Sequence, residues 1–169
     1  NKIRSESFEN CKALTHLNLP NTIEEIEMEA FKGCGLESIS IPGNVTNIGY
    51  EAFKGSSLKS VYFQNGKRVS VVASAFENCT SLTEFRINDR YVDLGTDALK
   101  DCSSLSKIDS MYIRHWGVRA ITGTQISEII FTKYSSTQSN SFACRGDYSF
   151  TRCDSLKTVI IEDGRDEIP

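Results

Sequence analysis

Several features that would place this 169-residue chain in a particular class are missing from it. No apolar run approaches the roughly 18 residues that a membrane-spanning helix needs. Basic and acidic residues nearly balance, at 19 and 22, so the chain lacks the basic surface that releases counterions from nucleic-acid phosphates. With 39% hydrophobic and 24% charged residues, the composition indicates a folded domain rather than a disordered chain. We therefore predict a folded chain with no membrane span in this segment and no nucleic-acid partner.

Residue patterns that carry catalysis or hold metals are also scarce. The chain has two histidines, His16 and His115, and no Cys-x-x-Cys or His-x-x-x-His spacing that would bind zinc. It shows no nucleophile motif and no phosphate-cradling glycine loop, so no residue pattern supplies an activated nucleophile with its base. We predict no enzymatic activity, no cofactor and no bound metal.

What the chain does contain is a repeat of nearly constant length. Successive apolar anchors are separated by 23, 22, 23, 23, 22 and 29 residues, and an alanine or serine precedes each of them. The anchors are Phe8, Phe31, Phe53, Phe76, Leu99, Ile121 and Phe150. Self-similarity at a fixed period of this length indicates a solenoid, in which each unit buries its apolar face against its neighbours.

Each unit predicts two short strands and a tight turn. A Leu-x-x-Leu-x-Leu ladder ends in the period-two alternation of a half-buried strand, and Pro20 or Pro42 directly after it ends that strand. A second apolar pair, Ile23 and Ile26 in the first unit, predicts a second short strand that leads into a tight helical turn at the anchor. Stacked units then form a parallel sheet with strands about 4.8 Å apart, and the aromatic anchors form an internal column. Ser110 is the one position that breaks the apolar ladder.

The segment SFENCKALTHLNLP at 7–20, followed by EAFKGC at 29–34, resembles the BspA-like leucine-rich repeat. The resemblance covers nearly the whole chain, best from Ser7 to Leu105, and weakens where Ser110 and Trp116 depart from the pattern. Together with the period it implies an α/β solenoid, a right-handed superhelix of about seven units of 22–23 residues. One face would be a parallel β-sheet, with short strands and turns opposite. We interpret residues 1–169 as a single leucine-rich-repeat domain of a longer protein, irregular from about residue 110 and with an insertion at 132–149.

The resemblance also implies a function, because proteins of this family are typically surface proteins that mediate adhesion to host matrix or to other cells. It implies a non-catalytic module that binds a protein or a glycan, in a cell-surface or secreted protein. Residues 1–7 carry no secretory signal. Two alternatives stay open: a structural spacer or stalk that carries another functional domain, and an accessory segment of an enzyme whose catalytic domain lies elsewhere in the protein.

The outward positions of the first strand in each unit are the candidate ligand contacts, because repeat proteins bind through such extended faces. Along the solenoid these positions change from small polar, through mixed charge, to partly apolar. Ile130 and Ile160, with Tyr62, could anchor a partner, or the two isoleucines could simply favour strand structure or lie beneath a missing terminal cap. The predicted ligand-binding face comprises His16, Asn18, Tyr62, Glu84, Arg86, Lys107, Asp109, Glu128, Ile130 and Ile160.

Five of the six cysteines fall in one slot of the repeat, three residues after the anchor. They are Cys11, Cys34, Cys79, Cys102 and Cys153. Because Ser56 and Thr124 fill the same slot, we predict a column of packed free thiols rather than disulfides. Parallel side-chain directions also disfavour a bond between neighbouring units. A bond between Cys144 and Cys153 is the exception that we expect most.

The predicted insertion is rich in serine and threonine and contains Arg145, Gly146 and Asp147 in sequence. Insertions in repeat proteins form loops on one face and often carry binding. The triplet resembles the Arg-Gly-Asp motif that integrins recognise, in which a cationic and an anionic side chain flank a turn at glycine. A match of three residues also arises by chance, so this loop motif is a secondary candidate.

Overall fold

The computed structural model of the protein describes residues 1–131 and 150–162. The predicted motif Arg145, Gly146 and Asp147, and Cys144, lie outside the described residues. The described ranges contain twelve short strands and one three-residue 3-10 helix, Ser110–Tyr112. The strands are β1 (Lys2–Ile3), β2 (Glu25–Ile26), β3 (Ser38–Ile41), β4 (Asn47–Ile48), β5 (Ser60–Phe63), β6 (Val69–Val71), β7 (Glu84–Ile87), β8 (Val92–Leu94), β9 (Lys107–Ile108), β10 (Ile113–Trp116), β11 (Glu128–Phe131) and β12 (Thr158–Ile161).

The strands pair in parallel and form three sheets. Sheet A has the order β1-β2-β4-β6-β8-β10, sheet B the order β3-β5-β7-β9, and sheet C consists of β11 and β12. Strands that are neighbours in a sheet come from successive turns of the chain, with like residues side by side: Tyr62 lies between Ser40 and Arg86. The described residues therefore form a parallel-strand β-solenoid of about five turns. The predicted parallel sheet and the predicted second strands are confirmed.

The core lies between sheets A and B and is built from the inward positions of both. On β3, for example, Ile39 and Ile41 are buried while Ser38 and Ser40 are exposed. The aromatic anchors stack inside this core with nearly parallel rings. The centroid distances are 5.2 Å from Phe8 to Phe31, 5.0 Å from Phe31 to Phe53 and 4.9 Å from Phe53 to Phe76. The predicted aromatic column is confirmed over these four anchors.

The tight turn predicted at each anchor does not form a helix in the described ranges, so the α/β class is not confirmed. In the described ranges the anchors lie in turns, and the residues two before and two after them have positive φ, as Glu51 (52°) and Gly55 (64°) do around Phe53. A left-handed residue ends a right-handed helix. The amide of Phe53 donates to Ala75 O at 2.7 Å, in the next turn of the solenoid, so it is not available to a carbonyl four residues back. The amides of Glu51, Phe53 and Gly55 all donate to the next turn, whereas the amides between them donate three residues back, so no continuous helical ladder forms.

The predicted seven units are not confirmed, because the regular strand pattern is interrupted at two places in the described structure. No strand forms around Leu17 and Leu19, although exposed and half-buried residues alternate there. Sheet B ends at the two-residue β9, because the chain then turns into the 3-10 helix. The buried Ser110 points inward, and its Oγ accepts a hydrogen bond from the Ile130 amide at 2.8 Å. The strand that occupies this position in the following unit, β11, pairs with β12 in a separate sheet instead.

The cysteines of the repeat slot form the predicted column of packed thiols. All five are free, and the middle ones are buried. The Sγ atoms of Cys79 and Cys102 each donate to a carbonyl of the preceding turn, Phe53 O and Phe76 O, at 3.1 Å. Cys153, one partner of the expected Cys144–Cys153 bond, is a free thiol, while its proposed partner lies outside the described ranges.

Candidate functional site

The candidate site is the outer surface of sheet B together with its two neighbours, the segment 16–19 on one side and sheet C on the other. We call this surface the outward face. Parallel pairing in register aligns like positions of successive turns, so the outward side chains form rows that run along the solenoid. The predicted binding residues occupy this surface and divide into three parts of different chemistry.

The first part is a groove that exists because β3 presents only serines to the outside. Ser38 and Ser40 are short, whereas the segment before β3 carries His16 and Asn18, and the strand after it carries Tyr62. A groove of about 220 Å³ lies above the serines. Its lining consists of His16, Leu17, Asn18, Leu19, Ser38, Ile39, Ser40, Tyr62 and Gln64. We call it the serine groove.

Hydrogen bonds within the chain position two of the side chains that line the serine groove. Gln64 Nε2 donates to Ser40 Oγ at 2.9 Å, and Thr15 Oγ1 lies 2.8 Å from His16 Nδ1. Tyr62 is 46% exposed, although it stands in the middle of a sheet row. The lining contains no carboxylate, ammonium or guanidinium group. The groove is therefore a polar site without lysine, arginine or carboxylate groups, and it has one solvent-exposed aromatic ring.

The second part of the outward face is a compact network of charged side chains. Lys107 Nζ lies 2.8 Å from Glu84 Oε1, and Arg86 Nη1 lies 3.0 Å from Asp109 Oδ1. A longer contact of 3.6 Å joins Arg86 Nε to Glu84 Oε2. The hydrogen bond from Lys107 is the main reason that the pKa of Glu84 is lower than usual. Two acids and two bases thus neutralise one another across β7, β9 and Asp109.

The third part lies on sheet C and is apolar. Ile130 on β11 is the register partner of Ile160 on β12, and Glu128 is the partner of Thr158. Ile130 is half-buried, whereas Ile160 is 42% exposed. The structure therefore does not bring these residues together with the groove, since the break at Ser110 separates sheet C from sheet B.

A second cavity, which the sequence did not predict, adjoins the serine groove and shares Gln64 with it. It has a volume of about 430 Å³ and is lined by Asn21, Gly43, Asn44, Gln64, Asn65, Gly66 and Lys67. The two glycines allow neighbouring loops to touch, since a Cβ on Gly66 would collide with Gly43 O. The sequence contains Pro-Gly-Asn at 42–44 and Gln-Asn-Gly at 64–66. Both are typical of tight turns and could have indicated these loops.

Arg90 holds these loops in place from inside the molecule. Its side chain is 2% exposed, and it donates to Val45 O at 2.5 Å and to Pro42 O at 3.1 Å. Burial lowers the pKa of the guanidinium to about 10, so it remains charged at neutral pH. The loop carbonyls therefore solvate this charge in place of water.

The two histidines lie in different parts of the molecule. His16 lines the serine groove, whereas His115 is on β10 in sheet A, as the register partner of Asp93. Burial lowers the pKa of His115. Within residues 1–131 and 150–162, no three His, Cys, Asp or Glu side chains gather closely enough to hold a metal ion. The same ranges hold no helix long and apolar enough to cross a membrane.

A comparison with protein families agrees with this geometry. The family of BspA type leucine rich repeat regions, described by a profile of six copies, matches residues 1–112, 39–145 and 69–169, so the matches together span the whole chain. The chain belongs to the BspA-type leucine-rich repeat family. The short strands, the column of anchors and the turn at each anchor are thus the form that this repeat takes here.

Solved structures give more distant matches. A leucine rich cell surface protein from Faecalibacterium prausnitzii is 19% identical, with a TM-score of 0.43 over 97% of this chain. A leucine-rich repeat protein from Bacteroides ovatus is 21% identical, with a TM-score of 0.46 over 96% of this chain. The BspA-type chain spans 58% of the length of each of these proteins. No curated protein matches it significantly.

Proposed function

We propose that this BspA-type repeat chain is a non-catalytic binding module of a cell-surface or secreted protein, and that it mediates adhesion to host matrix or to other cells. Its ligand would be a protein or a glycan that lies along the outward face. The observation that carries the proposal is the alignment of exposed polar and aromatic side chains over β3, β5, β7 and β9, above a fully apolar inner row. A long, regular surface of this kind is what repeat proteins use for binding.

The proposal also includes the extent of the domain. We infer that residues 1–169 form one right-handed repeat domain, because parallel strands are joined almost always by right-handed connections. Support comes from the family matches, which reach residue 169, and from the pairing of β11 with β12 across the intervening segment. On this proposal, Glu128, Ile130 and Ile160 form the far end of the same binding surface.

One observation favours the alternative of a structural spacer without a ligand of its own. Glu84, Arg86, Lys107 and Asp109 bind one another, so the charged centre of the outward face needs no partner to satisfy it. A spacer requires only such a self-contained surface. A binding module and a spacer therefore make different predictions. Ligand binding depends on the sign and position of these charges only if the chain is a binding module.

A charge exchange tests this difference while keeping the shortest ion pair of the network. The variant E84K/K107E keeps a salt bridge across β7 and β9 but reverses the local field. The matched control is K2E/E25K, which exchanges the pair of Lys2 and Glu25, 2.5 Å apart, on sheet A. Both proteins and the parent chain would be applied to a panel of matrix proteins and cell-surface glycans, with binding measured by biolayer interferometry.

We expect at least one ligand that binds the parent chain and the sheet A control equally and binds E84K/K107E more weakly, by roughly tenfold. Equal binding by all three proteins would place the contact away from the charged centre of the outward face. No binding across the panel would favour the spacer, and the search for a ligand would then move to other parts of the parent protein.

A further inference from the structure

The serine groove has the dimensions of a site for a single ring. Its floor is one strand, β3, and its walls are the neighbours of that strand on either side, residues 16–19 and β5. Neighbouring strands are about 4.8 Å apart, so the backbones of the walls are separated by roughly 10 Å. Because the floor side chains are serines, the space between the walls remains open above them. The wall side chains, such as Asn18 and Tyr62, narrow this separation, so a six-membered ring fits between them, whereas a helix, about 10–12 Å across with its side chains, does not.

The chemistry of the lining selects the kind of ring. Serine hydroxyls and the amides of Asn18 and Gln64 both donate and accept hydrogen bonds, as the hydroxyl groups of a sugar do. Tyr62 offers an exposed ring, whose electron-rich face attracts the weakly positive C–H groups of a pyranose. Gln64 is already held by Ser40, so part of the site is organised before a ligand binds.

The charges around the groove indicate that the ligand is neutral. The lining holds no lysine, arginine or carboxylate, and Arg86, the neighbour of Tyr62 on β7, is engaged by Asp109. A carboxylate or sulfate on the ligand would thus lose water without gaining an ion pair to a lysine or arginine of the lining. Apolar side chains of a peptide would likewise find polar hydroxyls on the floor.

We propose that the serine groove binds a neutral pyranose residue of a glycan, which stacks on Tyr62 and exchanges hydrogen bonds with Ser38, Ser40 and Gln64. This inference rests on the proposed binding function and names the ligand class for one end of the outward face. The sugar is the end or a branch of a larger glycan, and contacts elsewhere on the face add to its affinity.

The test uses the intact chain labelled with ¹⁵N, and titrates it with methyl glycosides of glucose, galactose, mannose and N-acetylglucosamine. Glucuronic acid and N-acetylneuraminic acid serve as charged sugars of similar size, and an extended Ser/Thr-rich heptapeptide serves as the peptide. Variants Y62A and S40L remove the stacking ring and fill the groove, respectively. Y50A is the matched control, because Tyr50 is 45% exposed and lies outside the groove lining.

We expect at least one neutral glycoside to shift the amide signals of residues 16–19, 38–40 and 62–64 at millimolar concentration. Y62A should weaken this binding roughly tenfold and S40L should abolish it, while Y50A binds as the parent does. Three results would overturn the inference: no shift with any neutral sugar, the same affinity in Y62A, or a preference for the acidic sugars or the peptide. If the charge-exchange variant still loses a panel ligand in that case, the proposed function stands and only this site is wrong.

Discussion

The central turns of the solenoid and its last described turns bury aromatic rings in different ways. In the central turns the anchor rings Phe31, Phe53 and Phe76 lie nearly parallel, and the strand rings Phe63 and Phe85 pack beside them at tilted or edge-on angles. After them the anchor slot holds Leu99 and Ile121, so the stack of anchor rings is interrupted before Phe150. Trp116 from β10 and Phe131 from β11 meet Phe150 at centroid distances of 5.6 and 5.8 Å with tilted rings.

This difference shows which part of the repeat fixes its geometry. A parallel stack needs the same ring in the same slot of every turn, so the turns there are strictly in register. Where Leu99 and Ile121 take the slot, the parallel stack ends, and Trp116, Phe131 and Phe150 pack against one another with tilted or edge-on rings. The change coincides with the end of sheet B at β9. The turn backbone is retained nevertheless, since Arg119 and Gly123 around Ile121 still have positive φ.

The largest expected effect is the loss of one ring from the parallel stack. Phe53→Ala should lower the free energy of unfolding by about 3–5 kcal/mol, because it empties a fully buried site between two other rings. Phe150→Ala should cost less, since Phe150 is only half-buried. Chemical denaturation of both variants measures the difference, and Phe53→Leu serves as the volume control. Equal losses for the two sites would contradict the distinction between stacked and tilted regions.

A smaller effect is expected in the ion-pair ladder that joins the central turns. Burial alone would raise the pKa of Glu51, but hydrogen bonds from Lys32, Lys54 and Tyr50 outweigh it and lower the pKa to about 2. Lys32 Nζ and Lys54 Nζ lie 2.6 and 2.7 Å from the carboxylate. Glu51→Gln should therefore cost about 2 kcal/mol at neutral pH.

The stabilisation that Glu51 provides should depend on pH. Because the folded pKa of Glu51 is below its ordinary 4.5, the stabilisation is complete above about pH 4.5 and is lost as the pH falls towards 2. Thermal melts of the parent and of Glu51→Gln should thus converge between pH 4.5 and 2. A gap that persists at pH 2 would show that Glu51 acts through packing rather than charge. Glu37→Gln is the control, because Glu37 is in an exposed pair with Lys59.

A still smaller effect is expected at the break between sheets B and C. Ser110→Ala removes the acceptor of the Ile130 amide and should cost about 1–2 kcal/mol. Ser110→Thr keeps the hydroxyl and is the matched control for the hydrogen bond. Urea denaturation measures both. If alanine at this position stabilises the protein, the break arises from the neighbouring residues and not from Ser110.

The smallest effect is expected on the outward face. Lys107→Ala breaks an exposed pair with Glu84 and should change the free energy of unfolding by less than about 1 kcal/mol. Adding 0.5 M salt should reduce this difference further. A loss that is larger and insensitive to salt would mean that the network supports the fold of sheet B.

Periodicity made much of the fold predictable, because each inward position repeats with the same burial. The parallel sheet, the second strands, the column of anchors and the thiol slot follow from the spacing of residues such as Phe53, Val61 and Cys79. The turn at the anchor could not be predicted in the same way. Its backbone depends on positive φ at Glu51, a residue type that favours helices when taken alone. Hydrogen bonds between turns override that preference.

The candidate site was predictable only residue by residue. Alternation identified Tyr62 and Arg86 as outward, but it gave no indication that Arg86 is held by Asp109 while Tyr62 borders a groove. The groove forms because β3 has no large outward side chain, since its two outward residues are serines. Its depth depends on the side chains of three neighbouring segments, so it cannot be predicted from the pattern within one unit. The family matches support the fold and leave the binding residues as proposals.

The break at Ser110 also has a consequence for how the molecule opens. In a solenoid each turn is coupled only to its neighbours, so partial opening begins where that coupling is weakest. Sheet B holds β3, β5 and β7 in one ladder of four-residue strands, whereas β11 joins the preceding turn through the Ser110 side chain and the 3-10 helix. We therefore expect the amide hydrogens of β11 to exchange with solvent before those of β5 in a native-state hydrogen-exchange experiment. The outward face then consists of a slow-exchanging end that carries the serine groove and a fast-exchanging end that carries the isoleucines.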